Sequence, residues 1–178
     1  MKKVPIVDLL SLVIIIALGV DVYWMHDRID RLELVARGQG DALDYASLLP
    51  LSGENASGQQ TKVDRGAPKL IFYMSTHCGV CAHNMPVWSD IARQVGPQHV
   101  VFVLSSPAER PAMSAYLAKY GLGGFPAVTA DPKVVDRFYM YTVPKTVLVN
   151  SRGKVEKVWR GVVTAQAVLP VWNSIGSR

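Results

Sequence analysis

Residues 69–81 read KLIFYMSTHCGVC, from Lys69 to Cys81. After Lys69 comes an unbroken apolar run to Met74, the pattern of a strand buried on both faces. Three small or polar residues, Ser75, Thr76 and His77, separate that run from Cys78. From Cys78 onward the apolar period changes: Met85, Trp88, Ile91, Ala92 and Val95 follow at three and four, which predicts a helix to Val95. A Cys-x-x-Cys between a buried strand and a helix is a specific arrangement. The first cysteine then sits at a helix N-terminus, where unpaired backbone N–H groups and the helix dipole favour an anion. That environment promotes the thiolate, which is the species that attacks disulfides. The second cysteine lies one turn on, within reach of the first. Cys78 is therefore expected to be the attacking thiol and Cys81 the resolving one.

Working outward, residues 100–104 read as a second buried strand and residues 108–120 as a helix carrying Met113, Tyr116, Leu117 and Tyr120. Residues 127–130 fit a short strand, and Asp131 is placed to cap a helix over 132–140. Thr142-Val143-Pro144 then leads into a strand over 145–150. Ser151-Arg152-Gly153 predicts a turn into residues 154–160 as its hairpin partner. A last helix starts near Thr164, with Pro170 inside it as a kink. Strands alternating with helices, followed by a hairpin, predict an α/β sheet with helices on both faces.

The 178 residues leave room for one medium domain plus a targeting segment, and 49% apolar residues supply a core. The chain has 2 cysteines, which cannot form a disulfide scaffold or, within one chain, a four-sulfur zinc site. Closing so short a loop would stabilise little, so the pair reads as chemical. Residues 1–61 hold 5 Lys+Arg against 8 Asp+Glu, while residues 62–178 hold 14 against 6. The domain is therefore basic, which fits a solvated surface, acidic partners or anionic lipid. No basic run or aromatic platform suggests nucleic acid.

Lys2 and Lys3 precede an apolar stretch over residues 4–25 whose centre, residues 9–20, is uncharged. As a helix these residues reach about 33 Å, enough to cross a bilayer core. Pro5 suits a first helical turn, and Tyr23 and Trp24 suit the far interface. The lysines put the amino end in the cytoplasm and the rest outside. A cleaved signal peptide is the rival, with Ala17-Leu18-Gly19 as its site; apolar character continuing to Met25 favours an uncleaved anchor. Residues 26–36 read as a short helical stub, and residues 52–61 (SGENASGQQT) as a flexible spacer. The expected organisation is an anchor over 1–25, a stub and linker over 26–61, and a folded domain over 62–178.

These residues resemble the thioredoxin superfamily, and within it the membrane-anchored, extracytoplasmic TlpA and ResA type. The strand–Cys-x-x-Cys–helix unit carries the likeness first. Pro86, five residues after Cys81, matches the family's kinked active-site helix. Val143-Pro144 before a strand resembles its cis-proline, and Thr129-Ala130-Asp131 with the helix after it resembles the extra strand–helix unit of that branch. Residues 150–154 (NSRGK) resemble its hairpin. The resemblance spans about residues 68–163. It implies a thioredoxin-like fold, no cofactor, and a substrate backbone paired at Val143 beside Pro144. It also implies disulfide- or thiol-bearing client proteins, such as apocytochromes c or metal-site assembly proteins, and a membrane thiol transporter as electron donor.

Several positions depart from the family pattern. The buried aspartate that thioredoxin carries six residues before its first cysteine is here Phe72, and the usual tryptophan before that cysteine is His77. Gly79-Val80 replaces the common x-Pro pair. His77, Gly79, Val80 and Thr142 are thus candidate modulators of redox poise. A charged His77 would stabilise a Cys78 thiolate or relay a proton; the alternative is an exposed loop residue. The leading expectation is an extracytoplasmic reductase. The same dithiol would serve an oxidant or isomerase, since direction depends on potential and partners. Copper delivery is a third reading, because Cys78, Cys81, His77, His83, Met74 and Met85 are soft or borderline ligands. The Cys-x-x-Cys spacing and the lack of any histidine after His99 count against it, and no resident metal is expected. A peroxidase would want Pro and Thr where Ile71 and Ser75 stand.

Overall fold

Every second side chain of the 69–74 run points the same way, and the structure divides them between two cores. In the computed structural model, residues 16, 18–22, 43, 46–138 and 140–176 are described. Among the described residues seven strands run in chain order: β1 Leu51–Glu54, β2 Gln60–Val63, β3 Lys69–Met74, β4 Val100–Leu104, β5 Ala127–Ala130, β6 Lys145–Val149 and β7 Val155–Arg160. Among the described residues of the sheet-bearing unit the helices are α1 Gly79–Val95, α2 Arg110–Lys119, α3 Pro132–Arg137 and α4 Ala165–Gly176, with a 3-10 turn, Pro107–Glu109, leading into α2. The strands form one mixed sheet in the order β2-β1-β5-β4-β3-β6-β7. β3 is central, parallel to β4 and antiparallel to β6.

On one face Leu70, Phe72 and Met74 of β3 join Val100, Phe102 and Leu104 of β4, packed with Met85, Trp88 and Ile91 of α1 and Val168 and Trp172 of α4. On the other face Ile71 and Tyr73 join Val101 and Val103, covered by Leu43, Leu48, Leu49 and Phe138. Each large side chain removed from water in this way contributes roughly 1.5–3 kcal/mol before entropy is counted. The double coverage explains why β3 and β4 read as unbroken apolar runs.

Among the described residues two X–Pro bonds are cis, Leu49–Pro50 and Val143–Pro144. The second matches the expectation at residues 142–144. Pro86 lies inside α1 and Pro170 inside α4. The helix expected over 108–120 divides into the 3-10 turn and α2, and the one expected over 132–140 ends at Arg137.

The linker expectation is corrected. Residues 52–61 lie within a β-hairpin, with β1 and β2 antiparallel and in register from Leu51↔Val63 to Glu54↔Gln60. β1 also pairs with β5 at Gly53↔Ala130 and Glu54↔Thr129. The compact unit containing the sheet spans residues 42–178, so the boundary expected at residue 62 lies too late. Gly53 makes the pairing possible, because a Cβ there would stand 2.1 Å from the Thr129 carbonyl oxygen. Asn55 shapes the turn, its side-chain oxygen accepting the backbone N–H of Ser57 and of Gln59. Arg110 of α2 forms an ion pair with Glu54. Upstream, the N–H groups of Leu48 and Leu49 both donate to the Gly153 carbonyl at the β6–β7 turn, at 2.9 and 3.1 Å.

Residues 1–41 form a separate unit. Within it residues 16 and 18–22 are helical, and Ile16, Leu18, Val20 and Val22 are exposed. The rest of the expected anchor over 4–25, and the stub over 26–36, lie outside the described residues. Among the described residues no helix is long and apolar enough to cross a membrane.

Candidate active site: a dithiol at a helix N-terminus

β3 ends at Met74, and after three intervening residues Cys78 caps α1. Its backbone is extended (φ −91°, ψ 113°), and its sulfur accepts the Cys81 backbone N–H at 3.1 Å. Cys78 thus faces one of the donors that a helix start leaves unpaired, and no acidic residue occupies the first turn to oppose an anion there. Both thiols are free, Cys78 half-buried and Cys81 buried. Burial foremost, together with the hydrogen bond to Cys78, pushes the Cys81 thiol up to about 12. The Cys78 charge and Glu109 add to that rise, and the Ser75 backbone opposes it. The two sulfurs are therefore unequal: one is at the surface beside a helix N-terminus, the other enclosed and held protonated.

Val80 is exposed between them, and Gly79 has open space where a Cβ would stand. No steric demand requires glycine at 79. His77 lies in the loop, largely exposed, with Nδ1 3.2 Å from Thr76 Oγ1 and 3.8 Å from the Glu109 carboxylate. The Glu109 carboxylate is thus a charged neighbour of His77. Phe72, at the position noted for a missing aspartate, stacks on Trp88 with ring centroids 5.1 Å apart.

Val143 and Pro144 reach the same end of the sheet. Tyr73 pairs with Lys145 in the antiparallel β3–β6 ladder, so the residues just before Lys145 run beside the segment that leads into Cys78. Val143 is half-buried and packs on the same core cluster as Cys78. Pro144 is buried, and its carbonyl accepts the Gly161 N–H at 3.0 Å. Thr142 is exposed, yet its carbonyl and hydroxyl oxygens both accept from the Lys145 ammonium at 2.7 Å.

Three residues that shape the site were not singled out from the sequence. Lys145 is only 1% exposed and braces the Thr142–Pro144 turn. Asn84, fully buried on α1, donates to the Gly161 carbonyl at 2.9 Å and accepts the Val163 N–H at 3.2 Å. Glu109 is buried and takes the backbone N–H of Thr76 as well as its hydroxyl, the latter at 2.8 Å. A sequence signal existed for Glu109: Ser106-Pro-Ala-Glu109 has the Ser-x-x-Glu spacing of a helix start. Ser106 does cap the turn, but the glutamate side chain leaves it for the cysteine loop. Among the described residues no group of three or more histidine, cysteine, aspartate or glutamate side chains is placed to hold a metal ion.

A mixed sheet whose central strand delivers a cysteine pair to a helix N-terminus, with a cis-proline turn alongside, defines a thioredoxin-like thiol–disulfide oxidoreductase. The crystal structure of StoA from Bacillus subtilis superposes with a TM-score of 0.55 at 21% identity, over 71% of this chain and 98% of that one, a likeness of fold. In sequence, the chain is 26% identical to the thiol-disulfide oxidoreductase ResA of Halalkalibacterium halodurans over 158 residues, 88% of this chain and 85% of that protein. It is also 26% identical to ResA of Bacillus subtilis over 126 residues, 68% of this chain and 70% of that protein. No family model matches the chain. These likenesses support a TlpA/ResA-like thiol–disulfide oxidoreductase of the thioredoxin superfamily.

Proposed function

We propose that the protein is an extracytoplasmic reductase of client disulfides, held at the membrane by residues 4–25, with Cys78 as the attacking thiol and Cys81 as the resolving one. The observation that carries the role assignment is the asymmetry of the pair. Cys78 presents its sulfur at the helix N-terminus, whereas Cys81 is enclosed and its thiol is raised to about 12. The Cys78 thiolate attacks one sulfur of a client disulfide. An S–S bond forms between client and protein, and the other client sulfur leaves as a thiolate and takes a proton. Cys81 then loses its proton and attacks the Cys78 sulfur. The Cys78–Cys81 disulfide closes and the second client sulfur is released. The client gains two electrons and the protein loses two, so a dithiol donor must reset it; a membrane thiol transporter fits that need.

In this reading an extended client segment pairs its backbone with Val143 beside Pro144, and His77, Gly79, Val80 and Thr142 are the candidate modulators of the Cys78 sulfur. The clients that fit are apocytochromes c or metal-site assembly proteins of the same compartment. Cys81→Ser in the full chain is the test. It should accumulate a client mixed disulfide through Cys78, while Cys78→Ser accumulates none. Trapping by Cys78→Ser instead would reverse the roles.

A further inference from the structure

We infer that Glu109 is a positioning residue for the dithiol reaction: its buried carboxylate anchors the loop that carries Cys78, and its charge delays resolution by Cys81. The inference rests on the reading of Cys81 as the resolving thiol.

The geometry is that of a charge built into the site. Glu109 stands at the end of the 3-10 turn between β4 and α2 and is only 6% exposed. A buried carboxylate is costly unless donors satisfy it. Here one oxygen takes both the N–H and the hydroxyl of Thr76, and the other takes the Ser105 hydroxyl at 3.1 Å. Thr76 is two residues ahead of Cys78, and the Cys78 N–H returns to the Ser75 carbonyl at 3.3 Å. The carboxylate therefore fixes the loop from one side while α1 fixes it from the other.

The groups around this charge are His77 from the loop at 3.8 Å, Tyr73 from β3 and the cysteines at the start of α1. Tyr116 of α2 in turn interacts electrostatically with both cysteines. Burial raises the Tyr73 hydroxyl and the Cys81 thiol, and in both cases the Glu109 charge adds to the rise. A negative charge here opposes a second negative charge on Cys81. Resolution needs that second charge, because the S–H bond of Cys81 must release its proton before the sulfur can attack Cys78. The carboxylate thereby prolongs the mixed disulfide between Cys78 and the client.

The test uses the full chain, reduced, with oxidised glutathione as the probe disulfide. The reaction is quenched with an alkylating agent at short times between about pH 6.5 and 9.5, and the glutathione adduct is counted by intact mass. Glu109→Gln keeps an acceptor oxygen for Thr76 and removes the charge. The adduct should then decay about threefold faster near neutral pH, with the pH midpoint of decay moved down. The gain in thiolate is partly offset because nucleophilicity falls with basicity. Glu109→Asp, which keeps the charge, should retain the wild-type midpoint even if the loop is loosened. A Glu109→Gln profile that superimposes on wild type, or is slower at every pH with the same midpoint, would overturn the inference and leave a structural anchor only. Decay that is as fast in Cys81→Ser as in wild type would overturn the underlying reading as well, and is told apart by that variant alone.

Discussion

The indole N–H of Trp88 donates to the hydroxyl of Thr146 across 2.9 Å, between two fully buried side chains. The bond joins the helix that opens at Cys78 to the strand that follows Pro144. The two halves of the site are thus fixed to one another beneath the surface, and the Phe72 ring stacked on Trp88 seals the contact. Thr146→Val keeps the volume and strands the indole N–H. It should cost about 1–3 kcal/mol, the usual penalty for a buried donor left without a partner. Thr146→Ser should recover most of that loss. Denaturant midpoints of the three proteins are the measurement, and a Val variant as stable as wild type would show that the bond contributes nothing net.

Asn84 performs a comparable task toward the loop after β7, through the Gly161 carbonyl and the Val163 N–H. Asn84→Leu removes the partner of both backbone groups, the Val163 N–H in a buried position and the Gly161 carbonyl in a partly buried one. The expected loss is about 2–4 kcal/mol, from two groups at roughly 1–2 kcal/mol each. Hydrogen exchange should locate the damage at residues 160–164, with β3 and β4 still protected. Uniform loss of protection would instead mean that Asn84 supports the whole core.

The pH dependence of stability follows from Cys81. Its thiol is raised from 9.0 to about 12 in the folded chain, chiefly by burial. The folded state therefore holds the proton more tightly than the unfolded state. The associated stability is complete below about 9 and is lost as pH rises from there toward 12. The reduced protein should weaken across that window, and the Cys78–Cys81 disulfide form, having no thiol to titrate, should weaken less. Parallel denaturation curves of both forms at increasing pH check this. Equal slopes would mean that Cys81 titrates as an exposed thiol does.

Gly53 tests the hairpin. A Cβ at 2.1 Å from the Thr129 carbonyl cannot be accommodated without separating β1 from β5. Gly53→Ala should lose a few kcal/mol, in the range seen for overpacked sites, and expose the amides of residues 51–54 to exchange. Catalysis should persist, because the cysteine pair sits at the start of α1, beyond the end of β3. A variant that folds normally but no longer reacts with disulfides would contradict this separation of roles.

The legible parts of the molecule were those written locally. KLIFYM, the cysteine spacing and the three/four period to Val95 each lie within one element, so reading them needs no knowledge of the rest of the chain. The 142–150 segment was legible for the same reason. The hairpin over 51–63 was not, because its strands, LSGE and QTKV, are four residues long and largely polar. Its pairing with β5 depends on a missing Cβ at Gly53, which a sequence pattern does not display. Glu109, Lys145 and Asn84 look like ordinary surface residues in the sequence. Their burial is produced by elements distant in the chain: Thr76 lies 33 residues from Glu109, and Gly161 lies 77 from Asn84. His77 was identified in sequence, but its neighbour Glu109 was not, so the charge beside it could not be anticipated.

The claim that the dithiol works as a reductase is tested most directly by the equilibrium reduction potential of the full chain in glutathione or dithiothreitol buffers. The account predicts a value at or below about −250 mV, in the range of thioredoxin. A value of about −120 to −180 mV, in the range of dedicated oxidants and isomerases, would contradict it.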